Sequence, residues 1–293
     1  MALPQTFAST GAMHVIGALL EQRTGQQIAA NRAWRVETVL KPVLRANDLD
    51  TLDQLIGRIA GDRNGALADS VVDALLNHET SFFRDAAVLD LVVEAALALQ
   101  AETPGRRLRI WSAGCSVGQE PYSLAMLFED AAITRGMVMP EIVATDVSAA
   151  ALARARAGRF SQFEIQRGLP VRRMVSWFDS VDGEWVIRPE LSRRVQFRQH
   201  NLAKDPAPLG KFDLVLCRNV LLYFAADVRT RVFRTLRTAT RDGGLLVLGA
   251  GETVIGQTKK LVADPKARGL YRLDHRDKSD RRAGEERRTS ARG

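Results

Sequence analysis

Residues 107–120 read Arg-Leu-Arg-Ile-Trp-Ser-Ala-Gly-Cys-Ser-Val-Gly-Gln-Glu, a short apolar run that breaks into a turn with glycines at 114 and 118. A strand over Arg107–Trp111, the glycine turn and a helix over Glu120–Asp130 make the opening of a βαβ unit. The pattern then repeats. Glu141–Thr145 reads as a strand ending at Asp146, and Ser148–Ala157 as a helix that Ser148 would cap. Val195–Arg198 and Phe212–Cys217 read as further strands, and Asp227–Thr240 as a helix. Gly243-Gly244 then leads into the apolar strand Leu245–Leu248, and Gly269–Leu273 closes the sheet. Strands alternating with helices require a mostly parallel sheet covered on both faces. The expected fold is therefore α/β: a Rossmann-like, doubly wound sheet.

Residues 1–76 have another texture. Met13–Glu21 places Val15, Ile16, Leu19 and Leu20 at helical spacing, and Trp34, Val36, Val39 and Leu40 continue it up to Pro42. Asp50–Asp53 opens a helix that turns Leu52, Leu55, Ile56 and Ile59 inward and closes near Gly61, and Leu67–Leu76 repeats the pattern. These residues predict a small all-helical N-terminal domain. Residues 77–105 are expected to form a linker, and 106–273 the sheet domain. Within the latter, residues 159–192 break the rhythm, with a helix-like stretch Leu169–Phe178, a turn at Asp182-Gly183 and a short strand Trp185–Ile187. They read as an insertion packed on one edge. Beyond Asp274 large apolar residues almost vanish, so Asp277–Gly293 reads as a disordered, charged tail.

Composition excludes several classes. A 46% hydrophobic and 26% charged chain can bury a core, which a disordered one cannot. The apolar run Ala86–Ala101 is interrupted by Asp90 and Glu94 and falls short of the roughly 20 residues a membrane span needs. The start of the chain lacks signal-peptide character. With two cysteines, Cys115 and Cys217, and four scattered histidines, the expectation is a cytoplasmic protein with free thiols and no metal site. The net charge of +8 is unevenly spread. Residues 1–76 carry seven Lys/Arg and eight Asp/Glu (−1), residues 77–273 carry 28 and 21 (+7), and residues 274–293 carry seven and five (+2). The excess favours an acidic partner, either nucleic acid or an acidic protein surface, and composition does not choose between them.

Ligands of a doubly wound sheet bind beyond the carboxyl ends of its strands. Gly114 lets the backbone pass close to a ligand there, and Gly118 lets the following helix start tightly. The dinucleotide pattern is absent, because a glycine between these two is missing. Asp146, at the end of the second strand, can accept hydrogen bonds from both hydroxyls of a ribose, or it can cap the next helix, a task open equally to Ser148. Arg218 and Asn219 follow the apolar strand that ends at Cys217 and so sit at the ligand edge.

Four ordered motifs carry a resemblance: Asn77-His78-Glu79-Thr80-Ser81-Phe82-Phe83-Arg84-Asp85, Trp111–Ser123, Ala144-Thr145-Asp146-Val147-Ser148 and Cys217-Arg218-Asn219-Val220-Leu221-Leu222-Tyr223-Phe224. Together they resemble the chemotaxis receptor methyltransferases (CheR), which methylate glutamate side chains of bacterial chemoreceptors. The resemblance runs from about residue 70 to residue 273. It implies the class I S-adenosylmethionine-dependent methyltransferase fold behind a helical N-terminal domain that recognises the receptor. It also implies site residues. His78, Thr80 and Arg84 would line the cofactor from the linker side, with Arg84 near the methionine carboxylate or the acceptor. Gly114 would lie in the cofactor turn, Glu120 would face the methionyl amino group and Asp146 would hold the ribose. Asn201 and Leu202 would border the adenine, and Arg218, Asn219 and Val220 would close the pocket with Tyr223 beside the transferred methyl. Many members carry Asn where this chain has His78. Some members have a glycine-rich β-subdomain that captures a receptor pentapeptide. Residues 165–190 lack that glycine pattern and read as partly helical, so a pentapeptide-independent member is expected.

The implied reaction needs no general base, since a glutamate of ordinary pKa, about 4.3, is already ionised at neutral pH. The catalytic pair implied is Arg84, to orient the carboxylate, and Tyr223, to steer the methyl. The cofactor would be S-adenosylmethionine without a metal. The partner would be the cytoplasmic domain of a chemoreceptor, with no nucleic acid, no membrane insertion and a monomeric enzyme. Two alternatives stand beside this reading: a methyltransferase acting on RNA or a small molecule, since folds do not fix substrates, and a non-catalytic cofactor-binding signalling protein.

Overall fold

The computed structural model describes residues 10–28, 34–63, 65–204, 210–258, 260–265 and 269–273. The chain beyond Leu273, including the expected tail, lies outside the described residues.

Four helices come first: α1 (Thr10–Thr24), α2 (Val36–Ala46), α3 (Leu52–Gly61) and α4 (Ala66–Leu75). Each turns one apolar stripe inward, and Ile16, Leu40, Leu55 and Val71 meet in one fully buried cluster. The stripe of α1 is Ala12, Ile16, Leu20 and Thr24, so Val15 is left half exposed rather than inward. The sequence pattern ends the second helix at Pro42, whereas α2 runs through Pro42 to Ala46. A proline inside a helix costs roughly 3 kcal/mol. Val36, Leu40 and Leu44 are buried on both sides of it, and that stripe carries the helix past the break. Thr51 starts α3 with a capping box, its hydroxyl accepting from the Gln54 amide at 3.2 Å while the Gln54 side chain reaches back.

The remainder follows as α5 (Ala86–Glu102), β1 (Arg109–Ala113), α6 (Gln119–Arg135), β2 (Glu141–Asp146) and α7 (Ala149–Ala157). Next come β3 (Arg159–Phe160), α8 (Gln162–Gln166), α9 (Val171–Trp177), β4 (Phe178–Val181), β5 (Glu184–Ile187) and α10 (Pro189–Ser192). The chain continues through β6 (Val195–Gln199), β7 (Phe212–Cys217), a 3-10 turn at Leu221–Tyr223, α11 (Ala226–Ala239), β8 (Thr240–Leu248), β9 (Leu261–Ala263) and β10 (Leu270–Leu273). Seven strands form one sheet in the order β6-β2-β1-β7-β8-β10-β9. The first five are parallel, and β10 runs antiparallel between β8 and the edge strand β9. The sequence pattern missed β9. Gly243 and Gly244 lie inside β8, at the register break opposite Phe212 and Leu214, and not ahead of it.

Neighbouring residues of the central strands serve opposite faces. Ile110, Leu214, Leu216 and Val247 pack under α5 and α6, while Trp111, Val215, Leu246 and Leu248 pack with α11. Most of the expected linker is thus α5, whose Leu89, Val92, Val93, Ala96 and Leu99 belong to the sheet's own core. Among the described residues no helix is long and apolar enough to cross a membrane.

The insertion differs from its sequence reading. It is a three-stranded antiparallel sheet, β3-β5-β4, with three short helices, and strands β3 and β4 escaped the pattern. Asp182 and Gly183, both at positive φ, make the hairpin turn between β4 and β5. The run Leu169–Phe178 ends its helix at Trp177 because Phe178 turns inward. There its ring meets Phe82 edge-on at 5.6 Å, and Phe82 also meets Phe160 at 4.9 Å. The insertion therefore grips the Phe82-Phe83 segment.

Candidate functional site

The strand order reverses at β1. The chain leaves β1 toward β2 and β6, then returns to β7 on the other side. The carboxyl ends of β1 and β7 lead into Gly114 and Arg218, at the switch point where such sheets bind ligands. The amides of Gly114 and Cys115 both donate to the Thr145 carbonyl, at 2.8 and 2.9 Å, which folds the turn across the end of β2. Gly114 has φ +81, and a Cβ there would lie 2.5 Å from Cγ2 of Val220. Gly114→Ala is expected to lower stability by about 1–3 kcal/mol, through strain and overpacking. Thermal unfolding of the variant beside wild type checks this.

Of the two residues that could cap α7, Ser148 takes the task. Ser148 caps α7 by accepting from the Ala151 amide at 2.9 Å. Asp146 accepts from the Ser116 amide at 2.8 Å and from the Ser148 amide at 3.0 Å, so backbone groups of two turns fix its carboxylate. Ser116 in turn donates its hydroxyl hydrogen to the His78 carbonyl at 3.2 Å.

Arg218 is the centre of a buried ionic network, with its side chain 2% exposed. One Nη donates to Glu120 at 2.9 Å. The other donates to Asp85 at 2.7 Å and to the Arg84 carbonyl at 2.9 Å. Glu120 also accepts from the Ser112 hydroxyl at 2.8 Å. Arg218 therefore fastens the Phe83–Asp85 segment, where Phe83 and Asp85 stand at positive φ, to the first turn of α6. With both Nη groups committed, it is a brace and leaves no fork for an incoming carboxylate. Arg84 is partly exposed, and its Nη1 makes a long contact to the Glu79 carbonyl at 3.3 Å.

On the far side, the Asn77 side-chain Nδ2 donates to the Tyr223 hydroxyl, and the Gln27 backbone amide donates to the Tyr223 carbonyl at 2.8 Å. A bridge between Gln26 and Phe224 extends that contact. The end of α1 is thereby stitched to the loop after β7. Asn201 donates to the Arg23 carbonyl at 2.9 Å and accepts from the Ala203 amide at 2.9 Å, so its side chain is engaged in the same junction.

His78, Thr80, Arg84, Gly114, Glu120, Asp146, Asn201, Leu202, Arg218, Asn219, Val220 and Tyr223 all line one cleft, with about 900 Å³ of empty space including its open mouth. Thr24, Gln26 and His200 line it too, and sequence reasoning did not name them. The His200 ring lies 5.9 Å from Trp111, and its Nε2 is buried with no partner among the described residues. Burial lowers its pKa. The unfolded chain then takes up the proton more readily, so stability should fall as pH drops below the ordinary histidine value of about 6.5. Urea unfolding across that range should show the loss, and His200→Gln should flatten it. Burial pushes the thiols of Cys115 and Cys217 up, with further upward contributions from nearby carboxylates, so both remain protonated.

The cleft fits S-adenosylmethionine on its own chemistry: a carboxylate held by amides at the end of β2, a second carboxylate after β1, and a glycine turn with no room for a side chain. A five-stranded parallel sheet extended by an antiparallel pair, with this cleft at its switch point, defines a class I S-adenosylmethionine-dependent methyltransferase. The family model for the SAM-binding domain of CheR methyltransferases matches residues 78–267. Over 242 residues the chain is 36% identical to the chemotaxis protein methyltransferase Cher2 of Pseudomonas putida, covering 81% of this chain and 88% of that protein. Over 252 residues it is 37% identical to chemotaxis protein methyltransferase 1 of Pseudomonas aeruginosa, covering 84% and 92%. The chain belongs to the CheR family, the S-adenosylmethionine-dependent methyltransferases of chemotaxis.

Proposed function

We propose that this enzyme methylates glutamate side chains in the cytoplasmic domains of chemoreceptors, giving glutamate methyl esters. The observation that carries the reading is the convergence of all twelve residues of the family resemblance on one cleft, where Arg218 is already paired with Glu120 and Asp85. A carboxylate acceptor is already ionised at neutral pH and needs no side chain to take up a proton.

In this reading Asp146 accepts from the ribose hydroxyls, Glu120 faces the methionyl amino group, and Asn201 and Leu202 border the adenine. His78 and Thr80 line the opposite wall, and Asn219 and Val220 close it against Gly114. S-adenosylmethionine, when bound, supplies an electrophilic sulfonium methyl. Arg84 is left to orient the acceptor carboxylate, because Arg218 is committed to Glu120 and Asp85. Tyr223 stands at the acceptor side with its ring as a wall. The chain's contribution is chiefly alignment and exclusion of water, effects that reach about 7–11 kcal/mol. The +7 charge of residues 77–273 steers the enzyme toward acidic receptor helices. Residues 1–76 serve as a recognition domain, and the insertion, although a small antiparallel sheet, has no glycine-rich run and is read as working without a pentapeptide tether.

Incubation of the enzyme with labelled S-adenosylmethionine and either a purified receptor cytoplasmic domain or total RNA tests the substrate class. Label on the receptor domain supports the reading, and label on RNA alone overturns it.

A further inference from the structure

Glu252 lies in the loop after β8, outside every motif of the family resemblance, yet its carboxylate is the most fully used acceptor near the cleft. Oε2 accepts from the amides of Asn219 at 2.8 Å and Gly249 at 2.9 Å, and Oε1 accepts from the amides of Val220 at 2.9 Å and Leu221 at 2.8 Å. Four N–H donors fill the roughly four lone-pair sites of a carboxylate. The Glu252 amide donates to the Gly249 carbonyl at 2.9 Å, closing the turn that presents the side chain. Gly249 is required there, since a Cβ would come within 2.9 Å of both the Asn219 amide nitrogen and Oε2.

The loop so held is not relaxed. Asn219 stands at φ +60, left-handed for a residue with a side chain, and Val220 is pressed into the space that Gly114 leaves open. We propose that Glu252 is a positioning residue for the cofactor: by gathering three consecutive amides of the 219–221 loop, it sets Asn219 and Val220 as the wall opposite the glycine turn. This rests on the reading of the cleft as the S-adenosylmethionine site. Glutamine is nearly isosteric but offers one acceptor oxygen in place of two. Its NH₂ group would face two amide donors, so two of the four bonds are lost and replaced by opposed donors.

Calorimetric binding of S-adenosylhomocysteine tests the proposal. Glu252→Gln should raise Kd at least tenfold and shift the amide proton signals of Asn219, Val220 and Leu221. Glu252→Asp, which keeps both oxygens, should fall between that variant and wild type. Asp213→Asn is the comparison for stability alone. Asp213 is buried at the opposite end of β7, where it pairs with Arg106 and accepts from the Arg109 amide, so the variant loses folding stability far from the cleft. Measured well below the Tm of each variant, Asp213→Asn should bind within twofold of wild type. The proposal is overturned if Glu252→Gln also binds within twofold of wild type, or if Asp213→Asn weakens binding equally. If Glu252→Gln does not fold, Glu252→Asp is judged against the same two limits. Wild-type protein that fails to bind overturns the cofactor reading itself, a result separate from either variant's behaviour.

Discussion

Replacing Arg218 with methionine is expected to lower the free energy of unfolding by about 3 kcal/mol or more, and to abolish methyl transfer. The guanidinium is 2% exposed and holds Glu120, 15% exposed, and Asp85, 41% exposed. Removing one member of a buried ionic cluster leaves the other charges without compensation, which typically costs about 3–5 kcal/mol. The lower end applies here, because Asp85 can turn to water. Methionine fills much of the volume, so the loss is electrostatic and not a cavity effect. The catalytic effect follows from the same geometry. Without Arg218, Glu120 keeps only the Ser112 hydroxyl, and the Arg84 backbone loses the bond that fixes it beside the cleft. Lysine should rescue little, since one ammonium cannot span Glu120, Asp85 and the Arg84 carbonyl in the fork geometry observed. Urea unfolding and a methylation assay on the same preparations separate the two effects.

Asp146→Asn is expected to weaken binding of S-adenosylmethionine about a hundredfold while leaving the fold intact. Hydrogen bonds to a charged group are worth about 1.5–3 kcal/mol each, and each 1.4 kcal/mol is a tenfold change in affinity. The carboxylate is fixed in advance by the Ser116 and Ser148 amides, so the proposed bonds to two ribose hydroxyls would cost little reorganisation. Asparagine must turn its NH₂ toward one of those amides or toward the ribose. Ser148 still caps α7 in the variant, so Tm should move by only a few degrees. Calorimetry against S-adenosylhomocysteine and a thermal melt give both numbers.

The sheet was legible because its strands are doubly buried. Ile142–Ala144 and Leu214–Cys217 are apolar throughout, as a parallel strand covered on both faces requires. The site was legible where function demands particular residues in a short window, as in Gly114–Glu120. The strand β4 was not, since Phe178 alone of its four residues is buried, against Phe82 from a distant segment. Helix α2 outran Pro42 because tertiary burial outweighs a local break. Thr24 and Gln26 escaped because their place in the cleft depends on docking of α1 against Tyr223 and Phe224, which no local pattern encodes. Glu252 escaped for the same reason. Its partners are backbone amides, which leave no trace in residue identities.

In the proposed reaction the cleft carries a methyl group to a receptor glutamate. The most direct measurement is mass spectrometry of a chemoreceptor cytoplasmic domain after incubation with enzyme and S-adenosylmethionine. Glutamate-containing peptides are expected to be heavier by one methylene, to revert under mild alkali and to be absent when Asp146→Ala enzyme is used. Receptor peptides of unchanged mass, from an enzyme shown to bind the cofactor, would contradict it.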